Sequence, residues 1–395
     1  MKSEDLSLQV REKLAKLTRT NAEDWFLCLK ARFGMALVFD AIRDEFGEGE
    51  VITTPYTCIT SINPILVSGL TPIYQDIDQS ILSTNKVDEK LIKAKTRALV
   101  MQHTLGIIGN KQKLRKIAEK HNLLLIEDSA HCVTRFARDT EDKILADISI
   151  HSFGVEKVLT GTKFGGAIYL NPELKIKQPS LYDRLITKFK ILKKPDKALS
   201  IRIRTYRYNN AIIQRLHGNA RQKFRSFEIK TGILEPPIYP FEQDGQQDEP
   251  CATNKYVNNR ILTQLSTLKS NYLRRNTNVE HYHKKLHSKQ FKNITKLEEP
   301  LLAYPILFNT AEKANQAYDM LTSAGFFIRR WYSPLLYPGP NSLKIYRYNP
   351  AKAPIAEDIS KRVLCLPTDL TITETEQIIK LLTNQTQPVE NPVEN

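Results

Sequence analysis

Long hydrophobic runs are missing from this sequence. No stretch of about 18 uncharged apolar residues occurs, which argues against a membrane-spanning helix. The opening MKSEDLSLQVREKLAKL is charged and amphipathic and lacks the apolar centre of a secretory signal. Cysteine is scarce: Cys28, Cys58, Cys132, Cys251 and Cys365 are scattered, odd in number and never in C-x-x-C spacing. That argues against a disulfide framework or a zinc site and fits a reducing cytoplasm. Acidic residues are nearly absent from residues 174–225, where fifteen Lys or Arg face two Asp. Almost all of the net charge of +15 therefore sits in one segment. No nucleic-acid-binding motif accompanies it, so nucleic acid is not an expected partner.

What is present is a globular composition, 41% hydrophobic and 26% charged over 395 residues, enough chain for about two or three domains. Helical apolar spacing predicts helices over 6–17, 32–46, 58–68, 86–94, 111–121 and 310–324, with one long helix over 254–286. Short apolar runs predict strands at 50–53, 70–78, 97–102, 123–126, 302–308 and 326–329. Strand–helix alternation at this spacing argues a largely parallel sheet covered on both sides. The basic segment reads as helical, with Leu181, Leu185, Phe189 and Leu192 on one face and Arg184, Lys188 and Lys190 off it. Such a segment can lie on an anionic membrane surface, or fold over the dimer or the active site with its charges solvated. Residues 234–250, rich in Pro, Gly, Gln and acids, read as a linker or mobile loop.

Residues 123–166 organise the rest. A buried-looking strand ends in Glu127, Asp128 and His131; ADISIHSF follows, then a lysine in a loop and a Gly-Gly step. An acid at one strand end and a lysine past another suit pyridoxal phosphate. It needs a carboxylate at its ring nitrogen, a lysine for the Schiff base, and hydroxyl and amide donors for its phosphate. Glu127-Asp128-Ser129-Ala130-His131, Ala146-Asp147, His151-Ser152-Phe153-Gly154-Val155-Glu156-Lys157 and Gly165-Gly166 resemble, in order and spacing, the motifs of the DegT/DnrJ/EryC1/StrS family. These are pyridoxal-phosphate sugar aminotransferases of fold type I.

The resemblance implies an α/β fold with a mostly parallel seven-stranded sheet. It implies a large domain over 1–270 and a small C-terminal α/β domain over 271–385; the basic segment at about 174–250 is an insertion outside the resemblance, and the polar tail over 386–395 reads as disordered. The resemblance makes Lys157 the catalytic residue, Asp128 the partner of the ring nitrogen, His131 a contact of the phenolic oxygen, and Ser152 a phosphate ligand. Gly34 and Met35 fall at the family's phosphate-binding turn, where backbone amides at a helix start would serve. Cys58 stands where the family stacks an aromatic residue, and Tyr56 is the substitute. Asn254 matches an asparagine that reaches the cofactor of the partner subunit in a homodimer. The implied reaction moves an amino group, usually from glutamate, to a nucleotide-linked keto-sugar for cell-surface polysaccharide or lipopolysaccharide. Family dehydratases carry histidine in place of the lysine; Lys157 favours transamination. Two other readings stand beside this one. One is a lipid-linked acceptor met at the inner membrane face, which the basic segment would explain. The other is a non-catalytic binding or regulatory relative, which Cys58, Tyr256 and Lys163-Phe164 (for the family's Gly-Glu) would explain.

Overall fold

A computed structural model of the protein describes residues 5–216, 218–294 and 299–384; the tail expected over 386–395 lies outside them. The chain begins with α1 (Leu6–Thr18), β1 (Trp25–Cys28), α2 (Ala31–Phe46), β2 (Glu50–Thr53), α3 (Ile59–Val67) and β3 (Thr71–Tyr74). It continues through β4 (Thr96–Gln102), α4 (Gln112–Lys120), β5 (Leu124–Ser129), β6 (Ile148–Ser152) and β7 (Gly166–Leu170). Helices α5 (Pro172–Lys177), α6 (Pro179–Lys190), α7 (Lys197–Arg215) and α8 (Gly218–Lys230) make up the basic excursion. Then come α9 (Lys255–Ser266), α10 (Leu268–Lys285), β8 (Phe291–Asn293) and β9 (Ala303–Phe308). Last are α11 (Ala311–Ser323), α12 (Pro354–Arg362), β10 (Val363–Pro367) and α13 (Ile372–Asn384).

Seven strands form one sheet in the order β1-β7-β6-β5-β4-β2-β3. β3, β2, β4, β5 and β6 run parallel, and β7 is antiparallel to both its neighbours. All six residues of β5 are buried, as its unbroken Leu-Leu-Ile run requires of a strand covered on both faces. Its polar end, Glu127 to Ser129, therefore lies at the carboxyl edge of the sheet centre, where open α/β sheets collect ligands. Helix α2 is pressed against β7 with no space to spare. A Cβ on Gly166 would come 2.5 Å from the Ala31 Cα, and one on Gly34 would come 2.5 Å from the Ile168 side chain. This contact brings the start of α2 beside the end of β6. A second sheet, β10-β9-β8, is antiparallel and shares a core with α10, α11 and α13 through Tyr282, Tyr304, Leu321 and Ile378. No helix among the described residues is long and apolar enough to cross a membrane.

Several expected elements differ. Residues 86–94 form only a short turn at Glu89–Leu91, opened by the Asp88 carboxylate accepting from the Lys90 amide at 3.1 Å. Leu91 and Ile92 pack against the core beside β4 and β5. The long helix over 254–286 is two, α9 and α10, broken at Thr267 (φ −101°, ψ 5°). Residues 326–329 contribute one bridge, Arg329 to Cys365, in place of a strand. The strand at 70–78 stops at Tyr74; Asp76 beyond it accepts from the Ile355 and Ala356 amides at 2.8 and 3.0 Å, capping α12. Residues 234–250 are no loose linker: Glu235 and Glu242 are buried and paired with Lys30 and Arg32. The apolar face of α6 is core as well. Leu181, Leu185 and Phe189 are buried, while Lys188 pairs with Asp44 at 2.7 Å and Arg184 with Glu45 at 2.6 Å, acids of α2.

Candidate active site

Three neighbouring strands deliver side chains to one cavity of about 380 Å³: β5 brings Asp128, β6 brings Ser152, and the end of β4 brings Gln102. Asp128 is fixed from both sides. Its Oδ1 accepts from the Ala130 amide at 3.0 Å and its Oδ2 from the Ser61 hydroxyl on α3 at 3.1 Å. Directly beneath, Glu127 is fully buried and accepts from His103 Nε2 at 2.6 Å and the Ala137 amide at 2.6 Å, and from the Ser149 hydroxyl. Burial pushes the Glu127 carboxyl up, but these donors more than reverse it, so it lies below the usual carboxylate range. His103 thus ties the floor of the site to Glu127 and itself lines the cavity.

His131 presents its other nitrogen to the cavity. Nδ1 accepts from the Leu105 amide at 3.0 Å, which leaves the proton on Nε2, 3.3 Å from the Tyr332 hydroxyl. Burial, then the charges of Lys157 and Arg329, hold His131 well below the usual histidine value. It is a neutral imidazole with one N–H to donate. Lys157, in the loop after β6, lies 5.6 Å from the centre of the Trp331 ring. Burial pulls its ammonium below the usual lysine value, against the opposing pull of Cys58, Asp128 and Glu156. Ser152 Oγ accepts from the Gly154 amide at 3.3 Å. Residues 30–32, the uncapped start of α2, complete the rim, which favours an anion there.

The opposite wall comes from far along the chain. Trp331 stacks on His131 with ring centres 5.1 Å apart and planes 16° apart. Its carbonyl accepts from the Tyr56 hydroxyl at 2.7 Å, and Tyr337 exchanges backbone hydrogen bonds with Thr57 and Ile59 at 2.9 Å each. The other side is the 234–242 segment. Lys30 Nζ meets Glu235 at 2.7 Å, and Arg32 pairs with Glu242. Burial raises Glu235, but Lys30 and the Tyr239 hydroxyl bring it below the usual carboxylate range.

The residues expected from sequence divide in two. Lys157, Asp128, His131, Ser152, Met35 and Cys58 all line this cavity. Gly34 does not; its lack of a side chain lets α2 meet Ile168 of β7. Tyr56 is fully buried behind the wall and carries Trp331, so it is no stacking surface here. Asn254 caps α9, its Oδ1 accepting from the Val257 amide at 3.0 Å, outside the lining of this cavity. Sequence reasoning missed Trp331, Tyr332, Ser61, Lys163 and Arg225, which line the cavity or hold its residues. Trp331 is one of two tryptophans in the sequence, a rarity that marks it without assigning it to the site. Together these groups can hold a flat, anionic aromatic aldehyde. A carboxylate faces an amine across the cavity, a neutral imidazole and an indole line one side, and a helix start awaits the anion.

Comparison with known proteins bears on the same residues. The family model for the DegT/DnrJ/EryC1/StrS aminotransferase family matches residues 34–185 and 260–383. A dTDP-4-amino-4,6-dideoxy-D-glucose transaminase of Shigella dysenteriae is 36% identical over 141 residues, 35% of this chain and 38% of that protein. The match thus spans little more than a third of that relative's length. A protein of the same name from Escherichia coli is 23% identical over 85% of this chain and 79% of its own. Helicobacter pylori PseC, an aminotransferase involved in the biosynthesis of pseudoaminic acid, shares the fold. Its TM-score is 0.69 at 18% identity, over 97% of this chain and 92% of that one. With the family's motif residues gathered at one cavity and its model matched over most of the length, this chain belongs to the DegT/DnrJ/EryC1/StrS aminotransferase family.

Proposed function

We propose that this protein is a pyridoxal-phosphate-dependent aminotransferase. It transfers an amino group from glutamate to a nucleotide-linked keto-sugar in the cytoplasm, for cell-surface polysaccharide or lipopolysaccharide. The observation that carries the reading is the gathering of Asp128, His131, Ser152 and Lys157 on one cavity at the carboxyl ends of parallel strands. The names of the curated relatives, nucleotide-sugar transaminases and polysaccharide biosynthesis proteins, support the substrate class. When bound, the cofactor supplies an aldehyde for the amino group and a protonated ring that draws electrons from the reacting carbon. Lys157 Nζ, its charge disfavoured by burial, would hold the cofactor at its aldehyde carbon and would move the proton at the reacting carbon. Asp128, held by Ser61 and Ala130, would keep the ring nitrogen protonated. His131 would offer its Nε2–H to the phenolic oxygen, and Ser152 with the start of α2 would hold the phosphate. Trp331 supplies the aromatic surface that Cys58 does not. A homodimer is part of the reading, with Asn254 reaching the partner's cofactor.

The test is a screen of nucleotide keto-sugars with glutamate, following product mass. The expected result is one product whose mass shows an amine in place of the oxo oxygen, absent in Lys157→Ala. A purified protein that stays colourless at saturating cofactor would overturn the enzyme reading and leave the non-catalytic one.

One further observation favours peripheral membrane contact as a second reading. The outer face of α7 exposes Ile201 (61%), Tyr208 (74%) and Ile212 (49%), spaced on one side of the helix among Arg204 and Arg207. Flotation with anionic vesicles should fall when these three become Ser; equal soluble fractions dispose of the idea.

A further inference from the structure

Lys157 stands on the loop between β6 and β7, and both of its chain neighbours are held from the second sheet. Glu156 has a left-handed backbone (φ 60°), which a residue with a side chain keeps only where its surroundings hold it. Its carboxylate meets the Arg329 guanidinium, Nε to Oε2 at 3.7 Å. Among the described residues that Nε–H has no hydrogen-bond acceptor, so the contact is an ion pair. Arg329 is itself keyed to β10. Its amide donates to the Cys365 carbonyl at 3.3 Å, and its carbonyl accepts from the Cys365 amide at 2.9 Å. On the other side of the lysine, the Val158 carbonyl accepts from Asn271 Nδ2 on α10 at 3.3 Å. Asn271 Oδ1 accepts in turn from Arg275 Nε at 2.9 Å. Arg275 is buried and reaches Thr368 Oγ1 at 2.9 Å and Asp369 at 3.5 Å, just past the end of β10.

Arg329 approaches the amine by a second route. Its guanidinium carbon lies 5.2 Å from the centre of the Trp331 ring, and Lys157 Nζ lies 5.6 Å from the same centre. One indole therefore borders the guanidinium, the amine and, by stacking, the His131 ring. The Arg329 side chain is 10% exposed and lies behind the cavity wall, outside its lining, so any influence on the reacting atoms passes through Glu156 and Trp331. Arginine suits the place, since its flat, permanent cation can lie against a ring while it pairs with an acid. The charges around Lys157 come from several elements. After burial, Cys58 ahead of α3, Asp128 on β5 and Glu156 favour the charged amine, and Arg329 opposes it. Neutral His131 stands beyond Trp331, and Lys30, Lys163 and Arg225 line the same cavity.

We propose that Arg329 is a positioning residue for Lys157. It grips Glu156 and backs Trp331 while Asn271 grips Val158, and the amine stands where these two arms from the second sheet hold its loop. This rests on the transaminase reading for what the amine does, and it deepens that reading. The second sheet contributes no strand to the cavity, yet β10 and its flanks set the place of the reactive group through the residues on either side of it.

The experiment reads cofactor retention and the amine separately. In equilibrium dialysis with pyridoxal phosphate, Arg329→Gln and Asn271→Ala should each bind about tenfold more weakly than wild type, the loss of one polar contact. The same changes made in Lys157→Ala protein should weaken binding no further, because their effect passes through the lysine. The second measurement labels Lys157 with acetic anhydride in full-length protein freed of cofactor, read by peptide mass against pH. Arg329→Gln should raise the labelling midpoint and Glu156→Gln should lower it, since one removes a cation and the other an anion. Arg329→Lys should bring the midpoint back, and Arg330→Gln, the next cation along the chain, should leave it at the wild-type value. Undiminished cofactor binding in both variants, or an equal loss in the Lys157→Ala background, overturns the proposal. So does a midpoint that Arg329→Gln leaves unmoved, or that both Gln changes move in one direction. Wild type that binds no cofactor sinks the transaminase reading instead, and the labelling midpoints then judge this proposal alone.

Discussion

Lys157 and His131 are both kept from the charge they would carry in acidic water, and burial is the first cause for each. For Lys157 this makes the free amine accessible at lower pH, so the rate should rise with pH and level off below the ordinary lysine value. A pH–rate profile still climbing beyond that value contradicts it. Borohydride reduction should fix the cofactor's mass to the wild type and not to Lys157→Ala. Asp128→Asn, which removes the anion but keeps the Ser61 contact, should lower turnover by at least about 100-fold while cofactor still binds; turnover within a few-fold of wild type contradicts the assignment. Trp331 offers a second optical readout. The other tryptophan, Trp25, is buried against Tyr169 and His151 on β7 and β6. Cofactor should therefore quench Trp25→Phe protein much more strongly than Trp331→Phe protein; equal quenching would place the ring elsewhere. Asp128 and Lys157 were readable as a cofactor pair because an acid and a lysine past neighbouring strand ends suit pyridoxal phosphate, whereas His131 and Ser152 entered only through the family resemblance. Trp331 was not legible, since only folding brings residue 331 against residue 131.

Among the elements, periodicity served where one face is apolar and the other wet. Helices α1, α2 and α4 came out within two residues of their expected bounds for that reason. It failed where polar contacts decide. A capping carboxylate at Asp88 makes a turn of 86–94, and the buried pairs of Glu235 and Glu242 turn an apparent linker into a wall. The basic segment misled differently, because Arg184 and Lys188 answer acids on α2 that lie more than a hundred residues away. The contact of α2 with β7 gives a sharp prediction. Gly166→Ala puts a methyl against the Ala31 backbone and should cost about 1–3 kcal/mol, read as a lower urea midpoint. An unchanged midpoint would mean that α2 can retreat.

For the whole molecule, acid is the weak side. Burial lowers His151 from 6.5 to about 4, and His131 lies well below its usual value. Between pH 6.5 and those folded values the unfolded chain binds more protons, so stability falls as pH falls and is fully present above 6.5. His151 alone should remove on the order of 2 kcal/mol by about pH 5. Urea midpoints at about pH 7.5, 6 and 5 should decline in that order; a flat series contradicts the burial of these rings. The class of fold was legible from strand–helix alternation, but which distant loops close the cavity was not. Those loops set an order of events. Residues 331–337 lie along 55–59 through the Tyr56, Thr57 and Ile59 hydrogen bonds, so the pocket has no far side until synthesis has passed residue 337. A nascent chain stalled at residue 300 would own the lysine and the carboxylate and still stay colourless, so that acquiring colour certifies a nearly finished polypeptide.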